Sequence, residues 1–265
     1  MEWLPKDPAF KNVRIHTYGY DSDYLKGKDD CLNIHHIGKA FLGEISTSPH
    51  LAGSRTHIVA IGHSMGGLVI KKAYILAKQE AAHNTLASRI AAIYFLATPH
   101  RGADSAKTLK SLLRVVYDRA YVGDLERNSG AIQVINDEFR HVSKPLELWS
   151  FYETQTMNLF GSTIVDPESA VLGYSEEKQM PMNADHRSIC KFETQFDANY
   201  IILRNALAST VTMITETIPG LELKENRNQI KDVRNGIVPL ARHHGELCSL
   251  EGRSIERQQD TLDQW

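Results

Sequence analysis

The residues best suited to chemistry lie at positions 62–66, where the sequence Gly-His-Ser-Met-Gly follows the apolar run of residues 57–61. A serine hydroxyl becomes a nucleophile when a turn exposes its oxygen, a base takes its proton and N–H groups stabilise the oxyanion that forms. The spacing G-x-S-x-G between a strand and a helix is typical of such a turn, the nucleophile elbow. The pattern therefore predicts Ser64 as a nucleophile.

Three glycines surround this serine, and each has an expected purpose. Gly62 and Gly66 are expected to keep side chains out of a sharp, strained turn, and Gly67 is expected to let the helix approach the strand closely. The N–H of Met65 lies at the predicted start of the helix. It is the expected oxyanion donor, because the first N–H groups of a helix have no partner within the helix.

A base and an acid must come later in the chain, in the order serine, acid, histidine. His186 stands in a polar loop after the last strands and is the predicted base, ahead of the pair at residues 243–244 in the tail. Two carboxylates compete for the acid. Glu153 follows a predicted strand directly and is preferred, whereas Asp166 precedes a proline and also suits a turn. His63 is expected to shape the elbow, with its side chain pointing away from that of Ser64, and His100 is expected to bind or brace near the site rather than to transfer protons.

A catalytic site requires a fold that places these residues close together, for example at one edge of a β-sheet. Short apolar runs alternate with longer helical patterns, which indicates parallel strands joined by helices, an α/β fold. The predicted strands cover residues 13–18, 56–61, 90–96, 146–152 and 163–165. Their continuous apolar character is typical of strands buried on both faces. The carboxyl ends of such strands are where functional residues collect.

Helical patterns separate the strands. Residues 68–77 carry an apolar stripe, residues 105–140 form a long helical insertion, and residues 197–217 form a closing helix. Four apolar residues of the insertion are expected to pack on the sheet, with a lid as the alternative; they are Leu109, Leu112, Leu113 and Val116. The composition becomes charged after Pro219. The sequence thus predicts a domain over residues 1–218 and a charged helical linker or tail over residues 219–265.

The bulk composition excludes several classes of function. A net charge of −2 and an isoelectric point near 6.6 argue against a nucleic-acid partner. No apolar stretch approaches the ~20 residues that span a bilayer, and no secretion signal opens the chain. Three scattered cysteines predict reduced thiols and an intracellular, most simply cytoplasmic, protein. Histidine spacing typical of a metal site is absent, so neither a metal nor a cofactor is expected.

Several segments together resemble a known group of enzymes. They are residues 18–20, 62–67, 97–102, 150–154, 169–173 and 185–186. In this order they are similar to the lipase-like α/β-hydrolases, which include the serine active site containing proteins and the hydrolase domains that head fungal NACHT-type receptor proteins. The resemblance runs from about Trp3 to Phe192. It implies the α/β-hydrolase fold, Ser64 as nucleophile, His186 as base and Glu153 as acid, and it allows a mitochondrial or endoplasmic reticulum location.

Two departures leave two functions open. Family members carry an earlier strand and a His-Gly-rich oxyanion loop, which the sequence before Ser64 lacks, so an N-terminally truncated domain is expected. The phosphate-binding loop of the receptor proteins is also missing from the sequence. One prediction is a serine esterase or lipase that hydrolyses an acyl ester or lipid. The alternative is a catalytically impaired recognition or signalling domain of a receptor-like protein, whose tail binds a protein partner.

Overall fold

Four parallel strands form one sheet in the order β1-β2-β3-β4, as seen in a computed structural model that describes residues 3–20, 34–51, 56–101, 125–156 and 164–217. The strands are β1 (Ile58–His63), β2 (Ile90–Leu96), β3 (Glu147–Glu153) and β4 (Lys178–Met182). The helices are α1 (Trp3–Lys6), α2 (Ile34–Thr47), α3 (Met65–Gln79), α4 (Asn84–Arg89), α5 (Leu125–Val142) and α6 (Ala198–Thr217). The predicted α/β class, with a parallel sheet flanked by helices, is confirmed.

Strand β2 shows why the sheet carries helices on both faces. Ile93 and Phe95 pack into an apolar cluster with residues of α2, α3 and α5. Tyr94 and Leu96 point the other way and join a second cluster with residues of α6. Successive side chains of a strand alternate between faces, so a strand covered on both sides must be apolar throughout. The β2 strand therefore reads as an unbroken apolar run, and its predicted range is the observed one.

Two predicted strands are wrong. Residues 13–18 form no strand; Val13 and Ile15 are 38% and 51% exposed, so their apolar side chains do not reach the core. Residues 164 and 165 lie in a bend, and Thr163 lies outside the described residues. Both segments are short, and pattern alone does not separate a short strand from a loop.

Strand β4 was missed because its sequence, Lys-Gln-Met-Pro-Met, has little strand character. It pairs with β3 at the end of the sheet, where the register sets Tyr152 against Pro181 and Glu153 against Met182. A proline lacks the N–H that a central strand needs and is confined to sheet edges. The edge position thus accommodates Pro181.

The predicted helices agree with the structure more closely than the predicted strands do. Helix α3 covers the predicted stripe, and α6 matches the predicted closing helix closely. Helix α5 forms the later part of the predicted insertion, whereas Leu109, Leu112, Leu113 and Val116 lie outside the described residues. Contacts divide the chain into units of Met1–Thr215 and Glu216–Trp265. The predicted boundary after residue 218 stays a prediction, and the tail at 219–265 lies outside the described residues.

Candidate active site

The carboxyl ends of all four strands meet at one edge of the sheet, because every strand runs in the same direction. The register aligns His63 of β1 with Leu96 of β2 and Leu96 with Phe151 of β3. Ser64 follows β1 directly, Glu153 ends β3, and His186 lies shortly after β4. Three of the predicted site residues, far apart in sequence, therefore come together at this edge.

The turn at Ser64 has the strained backbone expected of an elbow. Its φ of 54° and ψ of −127° lie in a region that residues with a side chain rarely occupy. The Ser64 N–H donates to the Leu96 carbonyl at 2.9 Å, which ties the turn to β2. Met65 begins α3 immediately afterwards, so its N–H lies among those without an acceptor inside the helix.

A second strained residue lies beside the first. Ala97 has a φ of 46° and follows Leu96, just as Ser64 follows His63, and the register pairs His63 with Leu96. The Ala97 N–H donates to the Phe151 carbonyl at 2.8 Å. Strain of this kind costs of order 1–3 kcal/mol for each residue and persists only where the surroundings impose it. Its presence at two neighbouring strand ends favours this edge as the candidate site.

The glycines around Ser64 differ in what they do. A Cβ at Gly62 would lie 2.6 Å from the Gly67 backbone nitrogen, and one at Gly67 would lie 2.1 Å from Thr98 Oγ1. Both positions require glycine for close approach. A Cβ at Gly66 would have no atom within 4 Å, so the expected steric purpose of Gly66 is wrong. Gly67 lies close both to Gly62 of β1 and to Thr98 in the loop after β2, so the expected close approach of helix and strand is present.

His186 lies between Ser64 and Glu153. Its Nε2 is 3.0 Å from Ser64 Oγ, and its Nδ1 is 3.4 Å from Glu153 Oε1. All three side chains are buried, with exposures of 5% for Ser64, 1% for His186 and 0% for Glu153. The second contact is long for a hydrogen bond. Within the described residues, His186 Nδ1 and Glu153 Oε2 are buried without a hydrogen-bond partner.

The two candidate acids have different surroundings. Glu153 Oε1 accepts a hydrogen bond from the Val165 N–H at 2.6 Å, besides facing His186. Asp166 instead accepts from the Ser169 N–H at 2.9 Å and from the Ser169 hydroxyl at 2.6 Å. Asp166 therefore closes a local turn, as its position before a proline suggested. Of the two carboxylates, Glu153 is the one in contact with the imidazole.

His63 makes a contact that sequence reasoning did not anticipate. Its Nε2 is 2.8 Å from the backbone carbonyl of His186, and the two imidazole rings are 5.0 Å apart between centroids. Burial, assisted by the nearby His186 and Lys191, lowers the pKa of His63 to about 4. The ring is thus neutral near pH 7 and donates from Nε2, because a carbonyl oxygen can only accept.

A buried polar cluster lies behind the elbow and was also missed. Lys71 Nζ is 2.6 Å from His100 Nδ1 and 2.7 Å from Asn136 Oδ1, and the Asn136 amide donates to the His100 carbonyl. Lys71 is fully buried and lies over the rings of Phe95 and Phe139. Burial holds the pKa values of Lys71 and His100 well below their ordinary values. A lysine on the apolar face of α3, seven residues after Ser64, was the available sequence signal.

This cluster connects α3 to the loop that contacts Glu153. The N–H groups of His100 and Arg101 donate to the Ser169 carbonyl at 2.6 and 3.2 Å. The same loop presents the Val165 N–H to Glu153. The observed contacts therefore link α3 to Glu153 through the segment after β2 and the loop that contains Val165 and Ser169.

The described residues contain no group of three or more His, Cys, Asp or Glu side chains able to hold a metal ion. Among the helices that the structure describes, none is both long and apolar enough to cross a bilayer. The predictions of no cofactor and of an intracellular location stay predictions.

Comparison with known proteins gives a partial match. No protein-family model matches the chain. It is 29% identical to Protein SERAC1 of Mus musculus over 201 residues, 73% of this chain and 30% of that protein. It is 30% identical to Protein SERAC1 of Homo sapiens over 198 residues, 71% of this chain and 29% of that protein. A solved lipase-esterase related protein from Clostridium acetobutylicum ATCC 824 is 12% identical, with a TM-score of 0.41 over 70% of this chain and 79% of that chain.

The chain thus spans less than a third of the length of the curated relatives it matches. The similarity agrees with the predicted resemblance to the serine active site containing proteins. The resemblance to the fungal NACHT-type receptor proteins stays a prediction. The chain is an α/β protein, similar over most of its length to part of Protein SERAC1.

Proposed function

We propose that this chain is a serine hydrolase of the esterase or lipase type, with the α/β-hydrolase fold, that cleaves acyl esters through Ser64, His186 and Glu153. The observation that carries the proposal is the 3.0 Å distance between Ser64 Oγ and His186 Nε2 at the carboxyl edge of the sheet. A serine within hydrogen-bond reach of an imidazole that a third group orients is the arrangement of an activated nucleophile.

The first half of the reaction forms an acyl-enzyme. His186 Nε2 takes the proton of Ser64 Oγ as that oxygen bonds to the ester carbonyl carbon. The carbonyl oxygen becomes an oxyanion, which the Met65 N–H receives at the start of α3. When the ester C–O bond breaks, His186 returns its proton to the departing alcohol, and the acyl group stays on Ser64.

The second half releases the acid. Water gives a proton to His186 and bonds to the acyl carbon, and the tetrahedral intermediate collapses with the proton passing back to Ser64 Oγ. The carboxylate of Glu153 fixes His186 with its proton on Nδ1 and stabilises the imidazolium in both halves. Burial of this carboxylate strengthens its attraction for the imidazolium, because the surroundings screen charge less than water does.

One observation favours a second candidate, a recognition or signalling domain with impaired catalysis. His186 Nδ1 and Glu153 Oε1 are 3.4 Å apart, and neither His186 Nδ1 nor Glu153 Oε2 makes a hydrogen bond within the described residues. Such looseness is compatible with an apo enzyme that tightens on binding substrate, and equally with a fold kept for binding alone. A binding domain would hold a protein partner through the tail at residues 219–265.

Labelling with a fluorophosphonate probe separates the two. The proposed hydrolase reacts at Ser64, so labelling is expected for the wild type and lost in Ser64→Ala and in His186→Ala. Ser88→Ala is the matched control, because Ser88 is exposed on α4 and its hydroxyl donates to the Thr85 carbonyl of its own helix. A folded wild type that does not label would refute the hydrolase. If the wild type does label, hydrolysis of p-nitrophenyl esters of increasing chain length would define its acyl preference.

A further inference from the structure

The side chain of His63 faces the proposed base from the position just before the proposed nucleophile. Its Nε2 lies 2.8 Å from the His186 carbonyl oxygen, 123 residues away in sequence. This hydrogen bond joins the end of β1 to the loop after β4. Because Ser64 and His186 are carried by those same two segments, the bond acts on the distance between nucleophile and base.

Other contacts hold the rest of the His186 loop. The Ala184 carbonyl accepts from the N–H groups of Thr154 and Gln155, and the Asn183 backbone bonds to the Asn199 side chain. Asp185 accepts hydrogen bonds from the N–H groups of Arg187 and Ser188 and from the Ser188 hydroxyl. Asp185 thus shapes the turn, whereas Asn183 and Ala184 join the loop to α6 and to the segment after β3. The bond from His63 instead fixes this turn directly to the elbow.

We propose that His63 is a positioning residue, which holds His186 against Ser64 by donating a hydrogen bond from Nε2 to the His186 carbonyl. The inference deepens the proposed hydrolase function and rests on it, since it assigns a purpose to the residue that precedes the nucleophile.

The chemistry of imidazole explains why the donor is a histidine. His186 gains a positive charge when it takes the Ser64 proton, and the His63 ring lies 5.0 Å from it. Burial, with smaller contributions from the neighbouring His186 and Lys191, lowers the pKa of His63 to about 4. A neutral ring donates its hydrogen bond without repelling the imidazolium, whereas lysine or arginine would oppose it.

Three variants separate the hydrogen bond from volume and charge. His63→Phe keeps a ring and removes the donor, His63→Gln keeps a donor near the Nε2 position, and His63→Lys keeps a donor and adds charge. A single hydrogen bond predicts a fluorophosphonate labelling rate roughly two- to tenfold lower in His63→Phe and largely restored in His63→Gln. His63→Lys is expected to label more slowly than His63→Gln, because a charged donor repels the imidazolium that forms when His186 takes the Ser64 proton.

Two readouts keep this proposal distinct from the hydrolase proposal. Circular dichroism and thermal unfolding first establish that each variant is folded. Labelling of folded His63→Phe at the wild-type rate, or equal losses in His63→Phe and His63→Gln, would overturn the positioning role. If the wild type does not label at Ser64, the hydrolase proposal fails, and the ¹⁵N signals of the His186 ring decide instead. They should change in His63→Phe and be restored in His63→Gln, and unchanged signals in His63→Phe would overturn the inference.

Discussion

Substitution of Glu153 by glutamine tests the proposed acid most directly, because it removes one charge and keeps the shape of the side chain. Glu153 is fully buried, and its Oε1 lies 3.4 Å from His186 Nδ1. When His186 carries the Ser64 proton, these groups form an ion pair. At 3.4 Å and an effective dielectric constant of about 20, Coulomb's law gives about 5 kcal/mol. This upper limit corresponds to a rate loss of roughly 10³ to 10⁴.

Asp166→Asn provides the matched comparison, since it removes the same charge from the other candidate. Its carboxylate closes a turn through the Ser169 N–H and hydroxyl, and asparagine retains one of the two acceptor oxygens. The loss of one hydrogen bond is expected to cost about 1 kcal/mol of stability. The rate of Ser64 labelling should fall by less than about tenfold, because Asp166 does not contact the imidazole.

The assay is the second-order rate of fluorophosphonate labelling at neutral pH, with urea unfolding measured on the same samples. Glu153→Gln is expected to lose much of its labelling rate at near wild-type stability. Asp166→Asn is expected to lose stability and to keep most of its labelling rate. A rate within tenfold of wild type for Glu153→Gln, together with a large loss for Asp166→Asn, would refute the reasoning and make Asp166 the acid.

Three further predictions concern the scaffold around the site. Gly67→Ala should destabilise the protein by about 1–3 kcal/mol in urea unfolding, because its Cβ would overlap Thr98. Gly66→Ala, whose Cβ would meet no atom, should be neutral or stabilising. Equal effects of the two substitutions would contradict the steric argument. In the folded protein the pKa values of His63 and His100 are lowered, so below pH 6.5 the unfolded state binds more protons than the folded state. The free energy of unfolding should therefore fall from pH 7 to pH 5, by up to about 1.4 kcal/mol per pH unit for each histidine. His63→Gln should reduce that slope, and an unchanged slope would show that His63 is not neutral in the folded state. Lys71→Met should remove hydrogen bonds to His100 and Asn136 and slow labelling, and a wild-type rate in a folded variant would show that the buried cluster does not act on the site.

The elements best predicted from sequence are those that local pattern determines. The apolar run of β2 was predicted with its exact range, because burial on both faces leaves no room for polar residues. Helix α3 was predicted from its apolar stripe, and the turn at Ser64 from G-x-S-x-G between a strand and a helix. In each case the physical requirement acts on residues that are adjacent in the chain.

The contacts that were missed join residues far apart in the chain. His63 reaches the carbonyl of His186, and Lys71 reaches His100 and Asn136. A backbone acceptor leaves no trace in the sequence, since any residue supplies a carbonyl. Lysine within an apolar stripe did carry a signal, but its partners depend on how α5 packs against α3. Strand β4 was missed for the same reason, because pairing with β3 rather than composition makes it a strand.

Sequence order identifies Glu153 and Asp166 as candidate acids, and the three-dimensional structure shows which of them contacts the imidazole of His186. Glu153 and Asp166 are both carboxylates that follow apolar runs, and spacing alone favours neither strongly. In the structure their positions are linked, since Asp166 closes the turn at Ser169 while the preceding Val165 N–H holds Glu153 Oε1 at 2.6 Å. This N–H fixes the position of a buried carboxylate that faces the imidazole, which is what orienting that imidazole requires. Asp166 would therefore contribute by shaping the loop that holds Glu153 in place, and its effect on rate should follow the stability of that turn.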